Sequence, residues 1–163
     1  MKFILRILAL TTSMFANGAL AASDSHVEKL KNTNECKICD LSSAELPNEQ
    51  FRDADLYGAS LYAANLSGAD LSGADLSAAG AALVDLSGAD LSSALLIGTV
   101  LPDSNLSGAD LSGADLSNAD LSGAKLHNVN LQIAMSLDGA NLSSIQTCNT
   151  TMPDGSVLNT DCP

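Results

Sequence analysis

The sequence predicts a solenoid, and two regularities in its middle part indicate that fold. The five-letter word A-D-L-S-G returns along the chain, as in LSGADLSGADLSA at residues 66–78. Within each unit only two positions stay apolar: the central residue, here called i, and the residue two before it, i−2. A helix would carry such a stripe around its circumference, because its own period is 3.6 residues. Stacked coils, in contrast, keep both apolar positions inside.

The central positions run in steps of five from Leu41 to Leu131, and among them only Phe51 and Ala81 are not Leu. Position i−2 is Ala in most units, so i and i−2 are expected to face a common interior while i−1, i+1 and i+2 face water. After Leu131 one residue is inserted. The inward residues predicted beyond it are Met135, Leu137, Ala140 and Leu142.

The tandem pattern A-[DN]-L-x-x over roughly residues 36–145 resembles the motif of the pentapeptide-repeat proteins. This resemblance implies an all-β fold, a right-handed quadrilateral β-helix in which each five-residue unit forms one side of a square coil. Gly is frequent at i+2, where it permits tight backbone geometry. At the usual strand spacing, the stretch from Leu41 to Leu142 corresponds to about five coils and roughly 24 Å of rod.

The first 21 residues have the features of a secretory signal peptide. Lys2 and Arg6 precede an apolar run that reaches Leu20, and Ala19 and Ala21 fit a small-x-small cleavage site, so we expect the cut after Ala21. A membrane anchor would need about 20 uninterrupted apolar residues, and polar residues break this run. The expected localisation is therefore periplasmic or secreted.

The charge of the chain excludes several classes of partner. The formal net charge is −12 with seven Lys plus Arg, and cleavage after Ala21 removes two positive charges and no acid, giving −14. Phosphate-binding surfaces need the opposite sign, so nucleic acid is not an expected partner. We also expect no membrane association after cleavage and no cofactor.

The remaining segments are predicted to cover the two ends of the rod. Residues 22–35 form a linker and capping helix, in which Ser25 and Glu28 match a capping box and Val27 and Leu30 share the face toward the first coil. Residues 36–145 are the repeats. Residues 146–163 form a C-terminal cap, where Cys148 and Cys162 flank the turn signal M-P-D-G and predict a disulfide-closed hairpin.

The four cysteines are first interpreted as disulfides, because an exported protein folds in an oxidising compartment. Cys36 and Cys39 lie at the first coil, and Cys148 and Cys162 lie beyond the last. A pairing between the ends would have to span the rod, against the 4.4–6.8 Å between Cα atoms that a disulfide tolerates. Within C-K-I-C, a packed thiol pair and a redox role remain as alternatives. Zinc lacks ligands there, and Asp40 stands where a c-type haem would need His.

The sequence offers no catalytic residues, because neither His26 nor His127 has a patterned nucleophile or base beside it. The predicted function is an exported, non-catalytic structural or protein-binding module, a rigid acidic solenoid whose partner is unknown. The alternative follows from the resemblance, since some members mimic duplex DNA and engage topoisomerases. Whether the protein is a monomer or a homodimer stays open.

Two surface features are candidate sites. The first is an apolar strip at outward positions, where we predict a contact with a partner or a second copy; a local register fault that turns these residues inward is the alternative. Its residues are Leu95, Ile97, Val100 and Pro102.

The second feature is an acidic ladder of Asp70, Asp90 and Asp110, which are 20 residues apart and should stack at roughly 4.8 Å. Repulsion between them predicts raised pKa values. A bridging divalent cation is the alternative to simple screening by salt.

Overall fold

The computed structural model describes residues 23–162, so the predicted signal peptide, residues 1–21, lies outside the described part. The regular elements are a helix α1 (Asp24–Thr33), a 3₁₀ helix (Leu131–Ile133) and two short strands, β1 (Thr150–Thr151) and β2 (Val157–Leu158). Within residues 23–162, neither helix is long and apolar enough to span a bilayer.

Most of the chain is a stack of coils joined by isolated parallel bridges. The bridges recur every five residues and join residues 20 apart, beginning with Glu35 and Asp55. Backbone hydrogen bonds follow the same register: the Leu41 N–H donates to the Ser60 carbonyl at 2.8 Å. Each coil therefore has four five-residue sides, and the predicted solenoid is confirmed. One column of bridged residues has six rungs, Glu35, Asp55, Asp75, Leu95, Asp115 and Ser136.

The core is the interior of this stack. Every predicted central residue from Leu41 to Leu131 is buried, together with most of the Ala residues at i−2. Burial of one such Leu contributes about 1.5–3 kcal/mol before ordering entropy is subtracted. Two polar residues take i−2 places and are satisfied by backbone carbonyls: Thr99 Oγ1 donates to Leu76 and Ser104 Oγ donates to Leu101, at 2.8 and 2.7 Å.

The i+2 position turns the corner of each side in the left-handed backbone region. Gly73 has φ +70°, and non-glycine residues adopt the same conformation, including Leu83 at φ +61° and Ile38 at φ +53°. A β-branched residue rarely adopts this conformation. The coil register therefore imposes the left-handed turn whichever residue stands there.

The inserted residue after Leu131 changes the register of the last coil. The 3₁₀ helix Leu131–Ile133 absorbs it, and the bridges beyond join residues 21 apart, beginning with Asp115 and Ser136. The prediction that Met135 points inward is wrong, because its side chain is 63% exposed. Its N–H donates to the Ala114 carbonyl, a bond that outward i−1 residues make in earlier coils, and Ala134 packs on the core instead.

Helix α1 covers the N-terminal end of the stack. Leu30 is buried and Val27 packs against the core, as their shared face predicts. The predicted capping box is wrong: the helix begins after Ser23, which makes no side-chain capping bond, so Ser25 lies within the first turn. The Ser25 hydroxyl lies 2.7 Å from that of Ser23 instead.

The C-terminal end carries an antiparallel hairpin formed by β1 and β2. A disulfide joins Cys148 to Cys162, and a second joins Cys36 to Cys39 at the other end of the stack. The last bridge pairs Asn130 with Thr151, so bridged coil structure continues past residue 145, the predicted end of the repeats.

Candidate protein-contact surface

The register divides the outside of the solenoid into four faces, because residues about 20 apart stack in columns. Faces 1 and 2 adjoin each other, as do faces 3 and 4. Face 1 is centred on Leu56, Leu76, Leu96 and Leu116, face 2 on Leu61, Ala81, Leu101 and Leu121, face 3 on Leu66, Leu86, Leu106 and Leu126, and face 4 on Leu71, Leu91, Leu111 and Leu131.

The exposed large apolar side chains of the coils concentrate on faces 1 and 2. Leu95 and Ile97 of face 1 and Val100 of face 2 are between 36% and 45% exposed, and Pro102 is partly exposed. The register continues through these residues, since Leu95 bridges to Asp115 and Val100 bridges to Asp120. The strip therefore lies outside, and no register fault turns it inward.

The structure adds residues that the sequence analysis did not assign to this strip. They lie on the same two faces in earlier coils, and all are at least 46% exposed. Together with the strip they form what we call the apolar surface. The added residues are Ile38, Tyr57, Tyr62 and Leu83.

Stacking of the coils aligns these residues in columns along the rod axis. The hydrogen-bond register places Tyr57 two coils before Ile97, and Tyr62 two coils before Pro102. Two coils correspond to roughly 10 Å along the axis. The signal that could have grouped them is the 20-residue period itself, applied to the outward positions as well as to the core.

Carboxylates border the apolar surface in the next coil. Asp115 follows Leu95 in its column, and Asp120 follows Val100. Hydrogen bonds from the Ser117 hydroxyl and backbone N–H lower the pKa of Asp115, and the Ser122 backbone N–H is the main cause that lowers the pKa of Asp120. Both groups are therefore ionised at neutral pH, which gives this edge a fixed negative charge.

The acidic ladder lies on face 4, but the prediction of raised pKa values is wrong for Asp70 and Asp110. The pKa of each is lowered, because the hydroxyl and the backbone N–H of the Ser two positions on donate to its carboxylate. For Asp110 these bonds come from Ser112 and measure 2.5 and 2.9 Å. Asp90 accepts the Ser92 N–H at 2.9 Å. For Asp70 and Asp110, the hydrogen bonds from Ser therefore decide the direction of the pKa shift.

The other predicted residues have structural positions. His26 Nδ1 accepts the Asp40 N–H at 3.1 Å, which helps to seat helix α1 on the first coil. His127 Nε2 is buried with no hydrogen-bond partner in the described part of the chain. Residues 23–162 bring together no group of three or more His, Cys, Asp or Glu arranged to hold a metal.

A four-sided solenoid with a Leu and Ala interior and a 20-residue stacking period is a repeat protein built from five-residue units. The model of the family of pentapeptide repeats matches eight copies, at residues 39–77, 84–123 and 94–132. The chain belongs to the pentapeptide-repeat family.

Solved structures agree with this assignment. The chain is similar to a pentapeptide-repeat protein (Rfr23) from the cyanobacterium Cyanothece 51142, with 34% identity, a TM-score of 0.63 and coverage of 77% of this chain and 96% of that one. It also shares the fold of QnrB1, a plasmid-mediated fluoroquinolone resistance protein, at 20% identity and a TM-score of 0.51, over 69% of this chain and 57% of that one. No curated protein sequence matches the chain.

Proposed function

We propose that the protein is an exported, non-catalytic binding module that docks another protein on faces 1 and 2. The observation that carries this proposal is the distribution of the exposed apolar side chains. Within residues 23–162, the large ones lie on these two adjoining faces or at the C-terminal end, where Ile133, Met135 and Val157 are found. A random scatter of tolerated surface residues would not favour one pair of faces.

The composition of the apolar surface fits a protein contact. Two Tyr side chains, Tyr57 and Tyr62, stand beside branched aliphatic residues, and Tyr is enriched among residues that dominate binding energy. Exposed apolar patches of a few hundred Å² commonly mark contact sites. The ionised Asp115 and Asp120 at the border favour a partner that surrounds its own apolar contact with Lys or Arg.

Site-specific photo-crosslinking tests this function. A photoreactive residue is placed at Ile97, inside the apolar surface, and in a matched variant at Ser92, on face 4. We expect a specific adduct from position 97 and none from position 92. The adduct should disappear when a Leu95→Ser substitution is added, whereas a Ser87→Ala plus Ser112→Ala control should retain it.

Equal adducts from both positions would contradict docking on faces 1 and 2. Unchanged self-association and unchanged pull-down partners for the Leu95→Ser plus Ile97→Ser variant would also contradict it. Substitution of one surface residue usually alters the free energy of unfolding by less than about 0.5 kcal/mol, so each variant is expected to remain folded.

We propose export because residues 1–21 combine two basic residues, an apolar run and a small-x-small cleavage signature. Expression of the full chain followed by mass measurement should give a product that begins at Ala22, recovered outside the cytoplasm. Replacement of Ala19 and Ala21 by large residues should block processing while leaving the repeats intact. A full-length product that stays in the cytoplasm would contradict export and would restore the DNA-mimic alternative.

A further inference from the structure

The two disulfides lie at opposite ends of the solenoid and differ in how far solvent reaches them. Cys36 and Cys39 are 0% and 3% exposed, and the Cys36 sulfur lies 3.4 Å from the His26 carbonyl oxygen of helix α1, which covers this end. Cys162, in contrast, is exposed and Cys148 is partly exposed. Because a thiolate has to reach a sulfur atom to attack a disulfide, the C-terminal bond is the accessible one.

The C-terminal disulfide fastens residues 159–162, here called the tail, onto the last coil. Asp161 Oδ2 accepts the Thr147 N–H at 3.1 Å, and the Asp161 N–H donates to the Thr147 carbonyl at 2.8 Å. Asn159 Oδ1 accepts the Asn149 N–H at 2.7 Å. All four tail residues are exposed, so little buried surface adds to these hydrogen bonds. The attachment of the tail therefore depends on the disulfide.

The N-terminal disulfide holds no comparable segment. Cys36 and Cys39 are three residues apart, whereas the C-terminal bond joins residues 14 apart. Helix α1 is held by other contacts, because Leu30 is buried and His26 Nδ1 accepts the Asp40 N–H at 3.1 Å. Loss of the buried bond would leave these contacts in place.

A histidine with a buried, unpartnered nitrogen is the neighbour of the C-terminal disulfide. The Asn128 N–H donates to the Cys148 carbonyl at 2.8 Å, and the bridges on either side join residues 21 apart. His127 and Cys148 are therefore neighbours in one outward column, at roughly 4.8 Å along the axis. His127 Nε2 nevertheless is buried, and no group within residues 23–162 forms a hydrogen bond with it.

Reduction of the disulfide would give this nitrogen a partner. Nε2 of His127 is able to take the proton of a Cys148 thiol, and a cysteine beside a protonated imidazole is stabilised as the thiolate. The tail supplies a charge that favours this proton: hydrogen bonds from the Thr160 hydroxyl and the Thr147 N–H are the main causes that lower the pKa of Asp161, and His127 lowers it further. A stabilised thiolate is also the better leaving group in thiol–disulfide exchange.

We propose that the Cys148–Cys162 bond is a thiol–disulfide exchange site, whose reduction by a dithiol releases the tail while Cys36–Cys39 stays intact. A thiolate of the dithiol bonds to the exposed Cys162 sulfur, the disulfide breaks, and Cys148 leaves as a thiolate beside His127. The second thiol of the dithiol then displaces Cys162. Two electrons and two protons pass to the cysteines, and the dithiol ends as a disulfide. The site is independent of docking on faces 1 and 2.

Timed reduction with dithiothreitol tests the difference between the two bonds. The processed protein with both disulfides formed is treated under native conditions near neutral pH, quenched with N-ethylmaleimide and mapped by peptide mass. We expect Cys148 and Cys162 to be alkylated at least about tenfold faster than Cys36 and Cys39. Leu30→Ala removes the buried contact of helix α1 and should bring the two rates closer.

The role of His127 is tested on the reduced protein. His127→Gln should slow alkylation of Cys148 about threefold or more near neutral pH, because Gln does not take the thiol proton. Ser107→Ala, one coil earlier in the same column, is the matched control and should leave the rate unchanged. Equal rates in the parent and in His127→Gln would overturn this role.

Hydrogen exchange tests the release of the tail. Selective reduction of the C-terminal bond should speed exchange at the Thr147 and Asn149 amides by about tenfold or more and leave the Leu121 amide, in the preceding coil, unchanged.

Two variants separate the disulfides without a reductant. Cys148→Ser plus Cys162→Ser should reproduce the faster exchange, and Cys36→Ser plus Cys39→Ser should not. The measurements on the unsubstituted protein decide the question if either variant does not fold.

Three results would overturn the proposal. They are equal alkylation rates for the two disulfides, earlier alkylation of Cys36 and Cys39, or unchanged exchange at Thr147 and Asn149 after reduction of the C-terminal bond.

Discussion

Faces 1 and 2 and faces 3 and 4 share one backbone and one core but differ in what they present to solvent. The inward positions are filled mostly by Leu and Ala on all four sides. Outside, faces 3 and 4 repeat Asp or Asn followed by Ser, as at Asp70 and Ser72, whereas faces 1 and 2 replace several of these residues by Tyr, Leu, Ile and Val. The difference shows that the core and the surface can vary independently in this fold, since within each unit one residue faces the core and its neighbour faces solvent.

The neighbouring residues Leu95 and Leu96 give the sharpest form of the comparison. Leu96 is fully buried and Leu95 is partly exposed. We expect Leu96→Ala to reduce the free energy of unfolding by about 2–5 kcal/mol, because it leaves a cavity in a stacked interior. The matched Leu95→Ala should change it by less than about 0.5 kcal/mol. Urea unfolding measures both, and similar losses for the two variants would break the separation of core and surface.

Glycines at the corners test whether the two pairs of faces tolerate change equally. Gly98 on face 1 has φ +63° and open space around an added Cβ, so Gly98→Ala should cost about 1 kcal/mol for the left-handed backbone alone. On face 4 a Cβ at Gly73 would meet the carboxylate of the exposed Asp53 side chain, which has to rotate away, so Gly73→Ala should cost slightly more, about 1–2 kcal/mol.

The larger expected cost of Gly73→Ala is due to the Asp53 carboxylate, so removal of that carboxylate is the control. Adding Asp53→Ala to Gly73→Ala should bring the cost close to that of Gly98→Ala, because the collision is gone and Ala63 and Ala78 already occupy the same corner position. If the free-energy costs of the two single substitutions simply add in the double mutant, the contact between Asp53 and residue 73 does not cause the extra cost.

The smallest effect concerns the carboxylates of the polar faces and depends on pH. Because the folded-state pKa of Asp110 is lowered, this group contributes stability above its unfolded pKa of about 3.9 and loses it as the pH falls through the folded value. Asp110→Ala should cost less than about 1 kcal/mol at pH 7, and the cost should shrink as the pH falls below the unfolded pKa. Thermal unfolding of both proteins across this range is the test, and a variant more stable than the parent at pH 7 would restore the repulsion hypothesis.

The sequence predicted the solenoid and its core because both depend on one short-range rule, an apolar residue at i and at i−2. It failed at Met135, since a single inserted residue can be absorbed at several points of a coil and the pattern does not say where. It also failed on the sign of the pKa shifts of Asp70 and Asp110, although the spacing D-x-S is visible in the sequence. In both cases the Ser two positions on donates to the carboxylate, a local hydrogen bond that lowers the pKa.

The candidate surface was predicted in part. Leu95, Ile97, Val100 and Pro102 interrupt a run of Ser and Asp, so local contrast reveals them. Tyr57, Tyr62 and Leu83 are isolated in sequence. They share the faces of this strip only because successive coils stack at a 20-residue period.

The 20-residue coil also limits how a gene for this protein can change in length. Duplication of one whole coil lengthens the rod by about 4.8 Å and returns every later residue to its original face. Duplication of one five-residue word is equally compatible with the core, yet it rotates everything after it by a quarter turn. Such an event between Tyr62 and Leu95 would carry Leu95 and Ile97 away from Tyr57. A gain or loss of any multiple of five residues therefore preserves the interior. Only a multiple of 20 residues also keeps the apolar side chains on their original faces.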